Sequence, residues 1–336
     1  MYDQGVYIVP MAYPAALASV EGMWYDRLLR WVRISNNGFV VVGHAALCVI
    51  DIATGAIEYA DFGRYITPYG HGRMRSKYTD PEVEIEIRAE ISADGDLLNL
   101  PAILSYLYDH PEKTHGEGPL YASAIRVEDG AVVAREMKRW RELGSIPYGP
   151  FHETNSNCSR FVHTFLQDTV SRQHSRSRQI QRAYRLTPST MCNVIAAAED
   201  GNYYEVNESG VHKHSTVRFR DPVIRWFFKG TRSAPLRANH RQSSSDSIDH
   251  QKQWLGGTGS GAWFTIREVS HDLRQIRLAR IEDSGEEIFC KWYELMGDSL
   301  PKQDIPMLIH YDTHAVQCTI KQADTLYVYK AVSDSK

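Results

Sequence analysis

Residues 231–252 divide this chain. The stretch is polar and serine-rich, with Ser243-Ser244-Ser245 at its centre, and reads as an exposed loop or linker. Before it, strand-period and helix-period apolar patterns alternate. After it, from Trp254 to Lys330, the patterns are short strands: Ala262–Val269, Ile276–Ile281, Glu287–Tyr293, Met307–Tyr311, Val316–Ile320 and Thr325–Lys330. The expected fold class is α+β, with a second, mainly β C-terminal domain. The expected boundaries are 1–170, a partly basic and Ser-rich connecting segment over 171–252, and 253–336. A length of 336 residues fits two domains, each large enough for its own core.

Within the first half, Asn36-Asn37-Gly38 marks a turn, and Phe39–Ile52 is a Val- and Ile-rich buried strand. Ala53-Thr54-Gly55 turns the chain into a return strand over Ala56–Phe62. Glu82–Ile91 alternates Val83, Ile85 and Ile87 with glutamates, which predicts a strand with one charged face. Helices are predicted near Met23–Trp31 and over Leu97–Asp109, Ala131–Leu143 and Cys158–Thr169, the last with Phe161, Val162, Phe165 and Leu166 as its apolar stripe. A further strand is expected over Ala122–Val127.

Composition excludes several classes. The formal net charge is only −3, which argues against a nucleic-acid-coating protein. The acid-free stretch Ser171–Arg185, with five arginines, reads as a solvated helix face. No apolar run approaches the roughly 18 residues of a membrane helix. The start, Met1-Tyr2-Asp3-Gln4-Gly5, lacks a basic and then apolar leader, so a cytoplasmic location is expected. The five cysteines are scattered, with no Cys-x-x-Cys pair, so neither a disulfide framework nor a zinc ribbon is expected. His310, Asp312 and His314 alternate on a strand and would face one side, with Cys318 close behind, but the spacing matches no diagnostic zinc pattern. Gly256–Gly261 lacks the Gly-Lys-Ser/Thr ending of a phosphate loop. No metal and no cofactor are expected.

The chemistry concentrates in Asn157-Cys158-Ser159-Arg160-Phe161-Val162, behind the turn Ile146-Pro147-Tyr148-Gly149. Cys158 falls at a loop-to-helix junction, where the helix N-terminus favours a thiolate. About 110 residues earlier, Gly43-His44-Ala45-Ala46-Leu47 places a histidine in an apolar strand. A thiol nucleophile needs an imidazole within hydrogen-bond reach and a third polar group to hold the ring. The return strand offers Asp61, Tyr59 and Glu58, of which Asp61 is short and ionised. Taken singly, a buried cysteine and a buried histidine are ordinary core residues. The flanking glycine, turn and helix signals favour a catalytic pair. The loop Asp61–Arg75 carries Arg64, Arg73 and Arg75 among tyrosines and glycines, a pattern suited to a cleft rim that recognises a carboxylate or phosphate.

Pro147-Tyr148-Gly149 followed by Asn157–Val162 resembles the Pro-Tyr … Asp-Cys-Ser-Gly-Leu-Val stretch of NlpC-type cysteine peptidases. Gly43–Ile50, a turn and Tyr59 are similar to the histidine hairpin of that superfamily. The histidine precedes the cysteine here, which resembles the circularly permuted branch that includes lecithin:retinol acyltransferase-like proteins and their Asn-Cys-x-x-Phe-Val motif. The resemblance covers roughly residues 36–170. It implies a permuted papain-like catalytic domain over 1–170, with Cys158 as nucleophile and His44 as general base. It further implies Tyr148 as a substrate or oxyanion contact. The usual third position is polar and often histidine, where this chain offers Tyr59 or Asp61. Arg160 stands where the pattern has glycine. The Cys158 amide is the expected oxyanion donor, helped by Asn157 or Asn155. Tyr59, Arg64 and Arg73 complete the expected substrate side.

The expected function is cysteine-dependent hydrolysis of an amide, peptide or isopeptide bond through an acyl-enzyme. The substrate would be a peptide, a protein conjugate or an acyl-amide. An acyltransferase or thioesterase using the same pair, and a catalytically inactive binding protein, are the competing readings.

Overall fold

A computed structural model describes residues 2, 4–19, 39–41, 43–149, 156–182, 189–218, 252–257 and 260–332. The helix expected near Met23–Trp31 and most of the 231–252 linker lie outside them. The chain forms two compact units. The first comprises Met1–Phe62, Val83–Glu142 and Gly149–Ala238; the second comprises Gly63–Glu82, Leu143–Tyr148 and Asn239–Lys336.

The first unit is built on an antiparallel sheet. Strand β1 (Val6–Tyr13) lies beside β4 (His44–Asp51), which pairs with β5 (Ile57–Gly63). On the other side of β1 come β7 (Leu120–Ala122), β10 (Asn202–Asn207) and β11 (Gly210–Ser215), and β8 (Ile125–Val127) also pairs with β1. A separate ribbon joins β2 (Leu17–Ser19) and β3 (Phe39–Val41). Every residue of β1 is buried, as a central strand requires. The sequence reading missed it because Pro10, which has no N–H to give to a ladder, argues against a central strand. The run Val6-Tyr7-Ile8-Val9 was the signal that outweighs it.

Helix α1 (Leu100–Asp109) buries Leu100, Ile103, Leu104 and Leu107 in a cluster with Met11, Tyr13, Cys48 and Tyr59. The four-residue α2 (Pro111–Thr114) follows it. Helices α3 (Gly130–Glu142) and α4 (Cys158–Thr169) are joined by rings: Trp140 meets Phe161 edge-on at 4.9 Å, and Phe62 of β5 meets Trp140 at 5.7 Å. The apolar stripe predicted for α4 is completely buried. Two further helices, α5 (Ser177–Arg182) and α6 (Thr190–Ala197), complete the unit.

Two expectations are corrected here. Residues 84–90 keep the predicted in–out alternation, with Val83 and Ile85 buried and Glu84 and Glu86 exposed, but form no ladder; Pro81–Val83 is a 3₁₀ turn. Period-2 burial therefore came from packing an extended segment on the core, not from strand pairing. Leu98 is exposed instead of belonging to the apolar face of α1, because the helix starts two residues later.

The second unit centres on a seven-stranded antiparallel sheet in the order β12-β13-β14-β15-β18-β17-β16. The strands are β12 (Gln253–Leu255), β13 (Ala262–Val269), β14 (Gln275–Ile281), β15 (Glu287–Leu295), β16 (Leu308–His314), β17 (Gln317–Gln322) and β18 (Thr325–Ala331). Phe264, Leu278, Tyr293, Ile320 and Tyr329 form its core, together with Ile66. Ile66 comes from the first half of the chain, as do β6 (His71–Ser76) and β9 (Ile146–Pro147), which pair His71 with Pro147 and Gly72 with Ile146.

Asp312 has a φ of 63°, and the β16–β17 register shifts between His310 and His314. The expected one-sided row of His310, Asp312 and His314 is therefore broken. Asp312 accepts from the Ser145 amide at 2.9 Å and hydroxyl at 2.6 Å. His314 is buried, and burial pushes its imidazole down to about 3, so it stays neutral. Among the described residues, no group of three His, Cys, Asp or Glu side chains is placed to hold a metal. No helix among them is long and apolar enough to cross a membrane.

Candidate active site

Strand register brings the first groups together. His44 opens β4, opposite Tyr13 at the end of β1. Ala46 lies opposite Asp61, and Cys48 opposite Tyr59. Alternate residues share a face, so His44, Asp61 and Tyr59 fall on one side of the β4–β5 pair. Nε2 of His44 lies 3.3 Å from Oδ2 of Asp61. The Asp61 carboxylate is fully buried, and the imidazole is 13 % exposed.

Cys158 is the first residue of α4. The helix starts there because Asn157 is its N-cap: the side-chain oxygen accepts from the Arg160 amide at 2.9 Å, and its carbonyl accepts from the Phe161 amide at 2.8 Å. Asn157→Ala is expected to cost about 1 kcal/mol of stability, read from a urea melt. The amides of Cys158 and Ser159 belong to the first turn, where no intrahelical acceptor exists. Asn193 of α6, itself buried, donates to the Ser159 carbonyl at 2.9 Å and fixes this turn. The Cys158 thiol acts electrostatically on the His44 imidazole and favours its charged form. Since Nε2 serves Asp61, Nδ1 is the ring nitrogen left for the thiol.

The electrostatics follow. Burial disfavours a charged His44, but hydrogen bonds and charges from Asp61 and Cys158 outweigh it and raise the imidazole to about 9. A group raised from an unfolded value of about 6.5 stabilises the fold fully below that pH, and the contribution is lost as pH rises through 9. The first unit is therefore expected to lose stability between about pH 6.5 and 9, an effect that should be absent in His44→Gln when urea midpoints are compared across that window. Burial pushes the Cys48 thiol up, and the Cys318 thiol up to about 12.

The remaining expected residues are distributed otherwise. Tyr59 is buried and points its hydroxyl at Asp61, so it stands behind the carboxylate and not on a substrate face. Asn157 spends its side-chain oxygen on the cap. Arg160 is buried. Tyr148, Arg64 and Arg73 belong to the second unit. There the Arg64 guanidinium lies 5.1 Å from the Tyr148 ring centre. Arg73 is 3 % exposed and makes a bidentate pair with Asp80 at 2.7 and 2.6 Å, and Arg75, equally buried, stacks on Tyr65 at 3.8 Å. These two arginines are core groups, not a cleft rim. The sequence reading missed Asp80 because the pairing partner Arg280 lies 200 residues away. It also missed Tyr13, whose ring stacks on His44 at 6.3 Å.

The first unit is thus an α+β unit in which the imidazole of His44 lies between the buried Asp61 carboxylate and the Cys158 thiol that acts on it. Residues 8–175, half the chain, match the family model described as type VI secretion system effector TseH-like, and the chain belongs to this family. Residues 252–332 match the model of the DUF6695 C-terminal domain. The crystal structure of the type VI secretion system effector TseH is similar at a TM-score of 0.43 and 15 % identity, covering 63 % of this chain and 99 % of that one. No curated protein matches the chain.

Proposed function

We propose that this chain is a thiol hydrolase that cleaves an amide, peptide or isopeptide bond, and that a type VI secretion machine delivers it to its target. The observation that carries the chemistry is His44, held by the buried Asp61 and acted on by the thiol of Cys158 on the first turn of a helix. Cys158 is the nucleophile. His44 takes the thiol proton through Nδ1, and the resulting imidazolium is held by Asp61. The thiolate attacks the carbonyl carbon, and the oxyanion forms beside the amides of Cys158 and Ser159 in the first helical turn. Collapse breaks the C–N bond as His44 returns its proton to the leaving amine. Water, deprotonated by the same imidazole, then releases the acyl group.

The order His44, Asp61, Cys158 supports a permuted papain-like arrangement over residues 1–170. The family description supports delivery. Delivery by such a machine adds cell-wall peptides to protein conjugates among the substrates.

The test is to incubate the purified protein with isolated cell-wall sacculi and with peptide conjugates, and to count new amines. In parallel, alkylation by iodoacetamide is followed by mass spectrometry at pH 7. Labelling dominated by Cys158, and lost in His44→Ala, supports the reading. A Cys158 that reacts no faster than the partly exposed Cys192 removes it and leaves a binding protein.

A further inference from the structure

We propose that Tyr59 is a positioning residue for this reaction: its hydroxyl, clamped between the Asp61 carboxylate and the Thr114 carbonyl, fixes the carboxylate that orients His44. The proposal rests on the thiol-hydrolase reading above. Tyr59 Oη lies 3.1 Å from Asp61 Oδ2 and 3.2 Å from the carbonyl oxygen of Thr114. The same Oδ2 meets His44 Nε2 at 3.3 Å. One carboxylate oxygen thus serves the imidazole and the phenol together.

A phenol has one proton to give. Both neighbours are acceptors, and the charged one makes the stronger bond, so the proton goes to Asp61. The Thr114 carbonyl, 3.2 Å away, is the weaker acceptor of the same proton and keeps the hydroxyl directed to this end of the pocket. It closes α2, and Thr114 is itself fully buried. The terminal torsion of an aspartate is broad and roughly two-fold, so a carboxylate with a single partner swings easily. Two donors on one oxygen remove that freedom.

Charge follows the same logic. Asp61 and Tyr59 are 0 % and 1 % exposed. A buried carboxylate that loses a donor becomes a stronger base or turns from its partner, and either change deprives the imidazolium of its counter-charge. The groups that face His44 are Asp61, Cys158 and the stacked ring of Tyr13. Cys48, opposite Tyr59 in the register, is a neutral thiol that burial pushes up, and adds no charge. The Tyr13 ring keeps its place because residue 116 is glycine: a Cβ there would sit 2.2 Å from it.

A residue that acts only through Asp61 must be silent once Asp61 is altered. The measurement is the rate of Cys158 alkylation by iodoacetamide at pH 7, read by mass spectrometry. Tyr59→Phe is expected to slow it about tenfold, the size of one lost bond to a charged group. Asp61→Asn is expected to slow it at least as much, and the double variant to be no slower than Asp61→Asn. An unchanged rate in Tyr59→Phe overturns the proposal, as does a further tenfold loss in the double variant. If Asp61→Asn does not fold, the His44 ring proton is titrated by NMR in the wild type and in Tyr59→Phe. A midpoint displaced by about half a unit or more supports the proposal, and an unmoved one overturns it. Failure of the hydrolase reading shows earlier and separately, as an unreactive Cys158 in the wild-type protein.

Discussion

Cys158→Ala is expected to reduce amide cleavage by at least about 10⁴-fold, because without the sulfur no acyl-enzyme forms and only binding and oxyanion contacts remain. The fold should be nearly untouched. Cys158 opens a helix whose cap belongs to Asn157 and whose buried stripe begins at Phe161. The melting temperature should therefore move by only a few degrees. His44→Ala should remove activity to a similar degree, and adding it to Cys158→Ala should cost almost nothing more, since the two groups work as one. Its effect on stability should differ. It removes one of the partners of a buried carboxylate, the one that can carry the opposite charge, at a cost of about 3 kcal/mol. Amine release measured beside a urea melt for the three variants separates these expectations. A single variant that keeps a tenth of the activity would end the proposed mechanism.

The second large effect is expected in the other unit. Asp80 is 1 % exposed and receives Arg73 through two bonds and Arg280 through a third at 3.3 Å. Arg280, itself 4 % exposed, also reaches Glu82 and Glu282 at 2.8 Å. Burial by itself would raise the Asp80 carboxyl, but Arg73 foremost, then Arg280 and Arg75, hold it well below the usual carboxylate range. Asp80→Leu leaves two buried guanidinium groups facing an apolar side chain, so the second unit should lose about 3–5 kcal/mol. The change should be seen in denaturant melts followed through Trp254, Trp263 and Trp292, all of which lie in that unit. The pH dependence has a fixed sign. A depressed folded value stabilises above the unfolded value of about 4, and the contribution is lost as pH falls through the folded one. Acid unfolding of this unit should thus begin below about pH 4 in the wild type, and Asp80→Leu should flatten that limb. An equal melting midpoint in the two proteins would show that the cluster contributes no net stability.

The cluster also shows what sequence reading cannot reach. Arg73 stands in a loop of tyrosines, glycines and arginines, and such composition suggests recognition. Its partner is Asp80, seven residues on, which also accepts from Arg280, across the linker; only the folded sheet brings the three together. Asn157 is a related case. Its place before a cysteine suggested an oxyanion donor. Geometry assigns its oxygen to the cap.

Elements with local causes were legible. The helix beginning at Cys158 was readable from its apolar stripe at positions 161, 162, 165 and 166. The hairpin carrying His44 and Asp61 was readable from the turn at Ala53-Thr54-Gly55 and its flanking apolar runs. The mainly β C-terminal unit was readable from six short alternating runs. The strand Val6–Tyr13 was not read, because a proline within it masked the pattern, and it supplied the ring that stacks on His44.

The sequence by itself determined which residues carry reactive groups and on which local elements they sit: a thiol at a helix start, an imidazole within a strand and a carboxylate on the return strand. Helix capping and strand alternation are local rules, so neighbouring residues suffice to express them. Only the tertiary structure decided that Asp61, and not Tyr59 or Glu58, meets the imidazole, that Tyr59 stands behind it, and that Arg73 is buried. Those outcomes depend on strand register and on partners tens to hundreds of residues apart. Register is set by how both faces of a sheet are covered, which no short stretch of chain specifies.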